Sequence, residues 1–180
     1  MMWLAAIAST PGYKVFEQWV SDLGVGGGAA YFNGGVIVAG TLTIPFAVTL
    51  ALVLRPSRLG IVGSAFLILA AVFLIGVGVF TEDAGNLHWI VSVSFFLSVL
   101  LALTLLAWPL YRSPAMAPWI GLLTAVLVAV GVLMAAILSS GPLTETTVVL
   151  MITAWSIIVA WRLRVYLCVT LRSPRVEPET

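Results

Sequence analysis

Charged residues in this chain fall between long apolar runs, with basic residues gathered at one set of ends and acidic residues at the other. A bilayer core of about 30 Å needs roughly 20 apolar residues in helix. Residues 34–54, 59–80, 88–110 and 119–138 each meet that requirement. A fifth run, 146–166, carries Arg162 and Arg164 near its end, where long side chains can reach the interface. The expected fold class is therefore all-α, a polytopic transmembrane helical bundle with five full spans in one domain over residues 1–172. Residues 1–9 form a partial membrane segment, too short to cross at about 1.5 Å per residue. Residues 173–180 read as a polar, disordered tail.

Composition excludes other classes. The chain is 62% hydrophobic and 8% charged, against roughly a quarter charged in soluble domains. A net charge of +1 leaves no clustered basic surface for nucleic acid. The single cysteine, Cys168, excludes an internal disulfide, a CxxC redox pair and a thiolate metal cage.

Topology follows from the side on which charges lie. Arg55, Arg58, Arg112, Arg162, Arg164, Arg172 and Arg175 share one side, and only Lys14 lies opposite. The positive-inside rule makes the first side cytoplasmic and places the C-terminus there, in a cell-membrane protein. Glu17, Asp22, Glu82, Asp83 and Glu145 then face outward. Trp89 near the outer boundary, and Trp108, Trp119 and Trp161 near the inner one, fit an aromatic belt.

The N-terminal stretch invites two local expectations. Residues 13–20 put Val15, Phe16, Trp19 and Val20 on one helical face against Lys14, Glu17 and Gln18, which predicts a short helix lying in the outer interface. The glycine-rich run 24–30 has no preceding strand, so it reads as a flexible loop and not a phosphate-binding turn. Gly34, Gly35, Gly76 and Gly78 are expected to let helices approach closely. Pro45 should kink the first full span.

Candidate chemistry gathers at the outward ends. Asn33, Asn86 and Thr144 precede expected helix starts, and capping is the plain reading, with Glu145 complementing a helix dipole. The functional reading joins Asp22, Asn33, Asp83, His88 and Glu145 in one pocket, because short loops hold them at similar depth. Carboxylates with a histidine can activate water, and Asp83, His88 and Glu145 could ligate a metal through mixed oxygen and nitrogen donors. Ser21 is a candidate nucleophile or hydroxyl ligand. Across the turn of residues 84–87, Asp83 can hydrogen-bond His88 and make it a proton carrier. No ionisable residue lies at mid-membrane, which counts against a proton pump or ion conduit.

The order and spacing of Ser21-Asp22-Leu23-Gly24, Phe32-Asn33-Gly34-Gly35, Gly78-Val79-Phe80-Thr81-Glu82-Asp83 and His88-Trp89-Ile90-Val91-Ser92 resemble the archaeal and bacterial membrane family catalogued as domain of unknown function 998. More distantly they are similar to DRAM and Sfk-type membrane proteins. The resemblance runs from about Pro11 to Arg164, and Pro142-Leu143-Thr144-Glu145 is similar to the family's proline and glutamate pattern before the last helix. It implies six helices and marks Ser21, Asp22, Asn33, Asp83, His88 and Glu145 as characteristic polar positions. This chain departs from the pattern in its short first helix and in Thr81, where a proline is common.

Three functions stay open on sequence. The first is an outward polar pocket for a lipid head group or metal, capable of hydrolysis, with Asp22 and Asp83 as ligands or bases, His88 as proton carrier, Glu145 as second carboxylate, and Ser21 and Asn33 in binding. The second is a non-catalytic accessory or lipid-organising subunit. The third is a small transporter, which predicts a cavity reaching mid-membrane near Pro45. Expected partners are membrane lipids and either further copies of the chain or a partner membrane subunit, with no nucleic acid. No cofactor is specified by the residues.

Overall fold

The computed structural model describes residues 2–138 and 141–172. The expected tail, 173–180, and the loop positions 139–140 lie outside the described residues. Among the described residues six helices follow in order: α1 (Met2–Ala8), α2 (Ala29–Val53), α3 (Arg58–Val79), α4 (Asn86–Arg112), α5 (Pro118–Ile137) and α6 (Pro142–Arg172). Short 3-10 turns at Val20–Gly24 and Glu82–Ala84 precede α2 and α4, and the described residues contain no strand. Five helices, α2 to α6, are long and apolar enough to cross a membrane. A polypeptide in hydrocarbon must satisfy its backbone internally, and helices of this length do so.

Helix ends follow local chemistry. Pro56 cannot continue α2, and Ser57 then caps α3 by accepting the Gly60 N–H at 3.3 Å. The α4 helix stops at Ser113-Pro114, and α5 opens with Pro118, whose missing N–H costs nothing in a first turn. Gly85, at φ +59°, turns the chain into α4, a conformation that a side chain would strain.

Consecutive helices pack as neighbours from α1 to α6, and α6 returns to the turn at Val20–Gly24. The main core lies between α2, α3, α4 and α6, around Leu50, Leu67, Leu106 and Val159, and extends to Ile120 of α5. Trp155, 1% exposed, keys α6 into it. Its ring meets Phe46 edge-on at 6.2 Å, and its indole N–H donates to Thr124 Oγ1 at 2.8 Å. The glycines expected at crossings serve that purpose: a Cβ on Gly78 would stand 2.7 Å from the Asn33 carbonyl. The α2 helix runs continuously through Pro45.

Several local expectations are corrected. Residues 13–20 do not form an interfacial helix. Phe16 adopts φ +73°, which breaks a right-handed helix, while Gln18 Oε1 accepts the Lys14 N–H and Lys14 pairs with Glu17 at 3.0 Å. Val20 and Leu23 instead join Ala6 and Phe32 in a second small core. The glycine run is a close crossing and not a free loop, since a Cβ on Gly27 would stand 2.4 Å from the Ser9 carbonyl and one on Gly28 2.6 Å from that of Ala6. The capping expectations also change. The α2 helix starts early enough to hold Asn33 inside it, Gly85 and not Asn86 occupies the cap of α4, and Thr144 lies within the first turn of α6.

Candidate functional site

The N-terminal ends of α2, α4 and α6 and the C-terminal end of α3 meet at one face with the two 3-10 turns, and that face carries the acids. Arg55 in the connection from α2 to α3, Arg58 at the start of α3 and Arg112 at the end of α4 lie at the opposite ends of the helices. The turn at Val20–Gly24 is held by two carboxylates. Asp22 Oδ2 accepts the Trp19 N–H at 3.0 Å, and Glu145 Oε2 accepts the Val20 N–H at 2.8 Å. Asn33 secures the other end of the turn by donating from Nδ2 to the Gly24 carbonyl at 2.9 Å.

Glu82 completes the acidic group. Burial, a hydrogen bond with Asp22, and the charges of Asp22 and Glu145 together push its carboxyl from the ordinary carboxylate range up to about 7. Tyr13 is raised in the same way, first by burial and then by Glu145 and Asp22. Asp83, its neighbour, points elsewhere: it is exposed and accepts from the Thr81 hydroxyl. Thr81 itself has φ −64°, the value that a proline ring would fix.

His88 does not pair with Asp83 as the turn length suggested. Its Nδ1 stands 2.7 Å from the Phe80 carbonyl, and its Nε2 stands 3.3 Å from Ser92 Oγ. Among the described residues, no group of three or more His, Cys, Asp or Glu side chains is arranged to hold a metal ion. The proposed ligand set of Asp83, His88 and Glu145 is accordingly not assembled: His88 and Glu145 share a cavity, whereas Asp83 stays outside it.

That cavity is the main feature of the site. It has a volume of about 950 Å³ and runs between α4, α5 and α6 from Ser21, Glu82, His88, Thr144 and Glu145 down to Leu103 and Leu127. Below the polar end its walls are apolar, with Phe96, Leu100, Val128, Val148 and Met151. A second cavity of about 560 Å³ lies on the other side of α4, against α2, α3 and α6, and reaches Leu42, Thr43 and Phe46. Ser21, Ser92, Phe96, Val99, Leu103, Glu145 and Ile152 line both. No lysine or arginine lines either one.

Of the six residues singled out in the sequence, Ser21, His88 and Glu145 line a cavity, Asp22 and Asn33 hold the turn that forms its roof, and Asp83 stands apart. Sequence reasoning missed Glu82 and Ser92 as lining residues. The signal for Ser92 was its position four residues after His88, one helical turn along the same face.

Five apolar spans packed about a main hydrophobic core make this a multi-pass helical membrane protein. Residues 1–162 match the family described as protein of unknown function (DUF998), and the chain belongs to that family. No curated protein and no solved structure matches the chain at a significant level. The more distant likeness to DRAM and Sfk-type proteins draws no support from these comparisons.

Proposed function

We propose that this protein binds a membrane amphiphile, with its head group among Ser21, Glu82, His88 and Glu145 and its apolar chain in the cavity beneath. The observation that carries this reading is the polarity gradient of one cavity, hydroxyl, imidazole and carboxyl at one end and apolar walls along the rest. Its volume of about 950 Å³ lies within the range of roughly 300–1,000 Å³ typical of ligand sites. In this reading the acidic end faces outward and the basic end the cytoplasm, by the positive-inside rule.

Charge selects the head group. Two carboxyls, Glu82 and Glu145, line the polar end with Asp22 beside them and no lysine or arginine, so an anionic head would meet repulsion, while an amine, a quaternary ammonium or a set of hydroxyls would be welcomed. Trp19 and Trp89 also line this cavity, and an indole ring is a partner for a cationic head.

Native mass spectrometry of the full chain, released in mild detergent from vesicles of equal phosphatidylethanolamine and phosphatidylglycerol, tests this directly. A retained phosphatidylethanolamine adduct is expected. Retention of phosphatidylglycerol in preference, or of neither lipid, would remove the reading.

A carrier of apolar solutes is the second reading, favoured by the smaller cavity reaching Leu42, Thr43 and Phe46 beside Pro45. It requires solute flux across proteoliposomes, which a binding protein would not produce.

A further inference from the structure

A hydroxyl in a membrane helix has a near partner in the carbonyl one turn back. Thr41, Thr43, Ser64, Thr104, Thr124 and Thr153 all take it, each donating to the carbonyl four residues earlier at 2.7–2.8 Å. Ser92 instead directs its Oγ to the imidazole of His88 at 3.3 Å. The opposite ring nitrogen, Nδ1, lies 2.7 Å from the Phe80 carbonyl. A carbonyl oxygen only accepts, so in the neutral ring Nδ1 carries the proton and Nε2 turns its lone pair toward the Ser92 hydroxyl. Hydroxyl, base and a third group orienting the base form the arrangement that activates a serine nucleophile.

Placement adds a second argument. Ser92 lies six residues into α4, about 9 Å along its axis. Taking a core of about 30 Å from a bilayer of roughly 40–45 Å leaves an interfacial layer somewhat thinner than that on each side. With Asn86 set at the outer surface of the bilayer, Ser92 falls just below the head-group layer, where the bond joining a lipid's polar part to its chain would lie. It also lines both cavities, whereas His88 lines only the larger.

We propose that Ser92 is a nucleophile and His88 its general base, in a site that cleaves or transfers the acyl group of an ester-linked amphiphile. This rests on the amphiphile reading above and names the chemistry for it. Ser92 Oγ attacks the ester carbonyl carbon while its proton passes to His88 Nε2, and the carbonyl electron pair moves onto oxygen. As that pair returns, the bond to the leaving alcohol breaks and the imidazolium delivers its proton to the alcohol oxygen. Water, deprotonated by His88, then attacks the acyl-serine, which releases a carboxylic acid and restores the Ser92 hydroxyl. Ser21 lines the same cavity, and its hydroxyl is a donor of the type that a developing oxyanion needs.

The test uses the full chain in lipid nanodiscs, a long-chain alkyl fluorophosphonate as probe, and peptide mass spectrometry to locate the adduct. Labelling at Ser92 is expected, with at least a tenfold fall in both Ser92→Ala and His88→Ala and none in Ser113→Ala at the opposite membrane face. Thermal unfolding of each variant separates loss of reactivity from loss of fold. Equal labelling of wild type and folded Ser92→Ala overturns the proposal. Absence of labelling in a wild type that still retains phosphatidylethanolamine overturns the nucleophile and leaves the binding reading intact. Absence of both overturns both.

Discussion

The carboxylate of Glu145 accepts the backbone N–H of Val20 at 2.8 Å across a separation of 125 residues. One side chain on the last helix thereby fixes the N-terminal turn that roofs both cavities. Val20 is 4% exposed, so its N–H has no ready substitute in solvent.

Glu145→Ala should leave that buried donor unmatched, at a cost of about 1–3 kcal/mol, whereas Glu145→Gln keeps an acceptor oxygen and should cost less. Thermal unfolding in detergent, combined with limited proteolysis of residues 10–25, reads both effects. An alanine variant as stable and as protease-resistant as wild type would show that the tether does not hold the roof.

The bond from the Trp155 indole to Thr124 is a second buried link, joining α6 to α5 where few other side chains connect them. Thr124→Val keeps the shape and removes the acceptor, so it should destabilise by about 1 kcal/mol, in the range measured for hydrogen bonds between membrane helices. Thr124→Ser should restore most of the loss. Reversible unfolding in mixed micelles gives the comparison, and a valine variant of unchanged stability would mean that Trp155 is held by packing alone.

Glu82 makes the site sensitive to pH. Its carboxyl ionises near 7 in the folded chain and near 4.5 when unfolded, because burial and the neighbouring Asp22 and Glu145 disfavour its charge. A raised carboxyl contributes its stabilisation fully below the unfolded value, and loses it as pH climbs from about 4.5 to about 7. Wild type should therefore lose stability relative to Glu82→Gln across that interval, and the difference should level off above it. Paired melting curves from pH 4 to 8 with a constant offset would rule out the shift.

The five spans were readable because twenty-residue apolar runs bounded by arginine and proline leave a membrane chain few alternatives. The acidic face was readable for the same reason. Which acid turns inward was not. Glu82 and Asp83 are adjacent in sequence, and the choice between them is made by a 3-10 turn and by Gly85 at φ +59°. Phe16 shows the same limit: an amphipathic pattern over residues 13–20 predicted a helix, yet tertiary packing of Val20 and Leu23 onto α1 and α2 prevailed. A polar pocket at the outer ends was expected, but the apolar walls beneath it could not be assigned, since apolar residues lining a void and apolar residues facing lipid read alike.

Gly131 offers the sharpest test of those voids. It lies in α5 on the wall of the larger cavity, and a Cβ built there meets nothing within 4 Å. A glycine inside a helix costs roughly 1 kcal/mol relative to alanine, so Gly131→Ala should raise stability slightly and leave room for a ligand. Gly131→Trp should fill the space that an acyl chain would occupy. If the cavity holds an amphiphile, the tryptophan variant should fold, retain its melting temperature within a few degrees, and lose at least tenfold of the lipid adduct seen by native mass spectrometry. A folded tryptophan variant that retains lipid as wild type does would place the bound lipid elsewhere on the protein surface. The alanine variant keeps its adduct under either outcome, which makes it the control for fold.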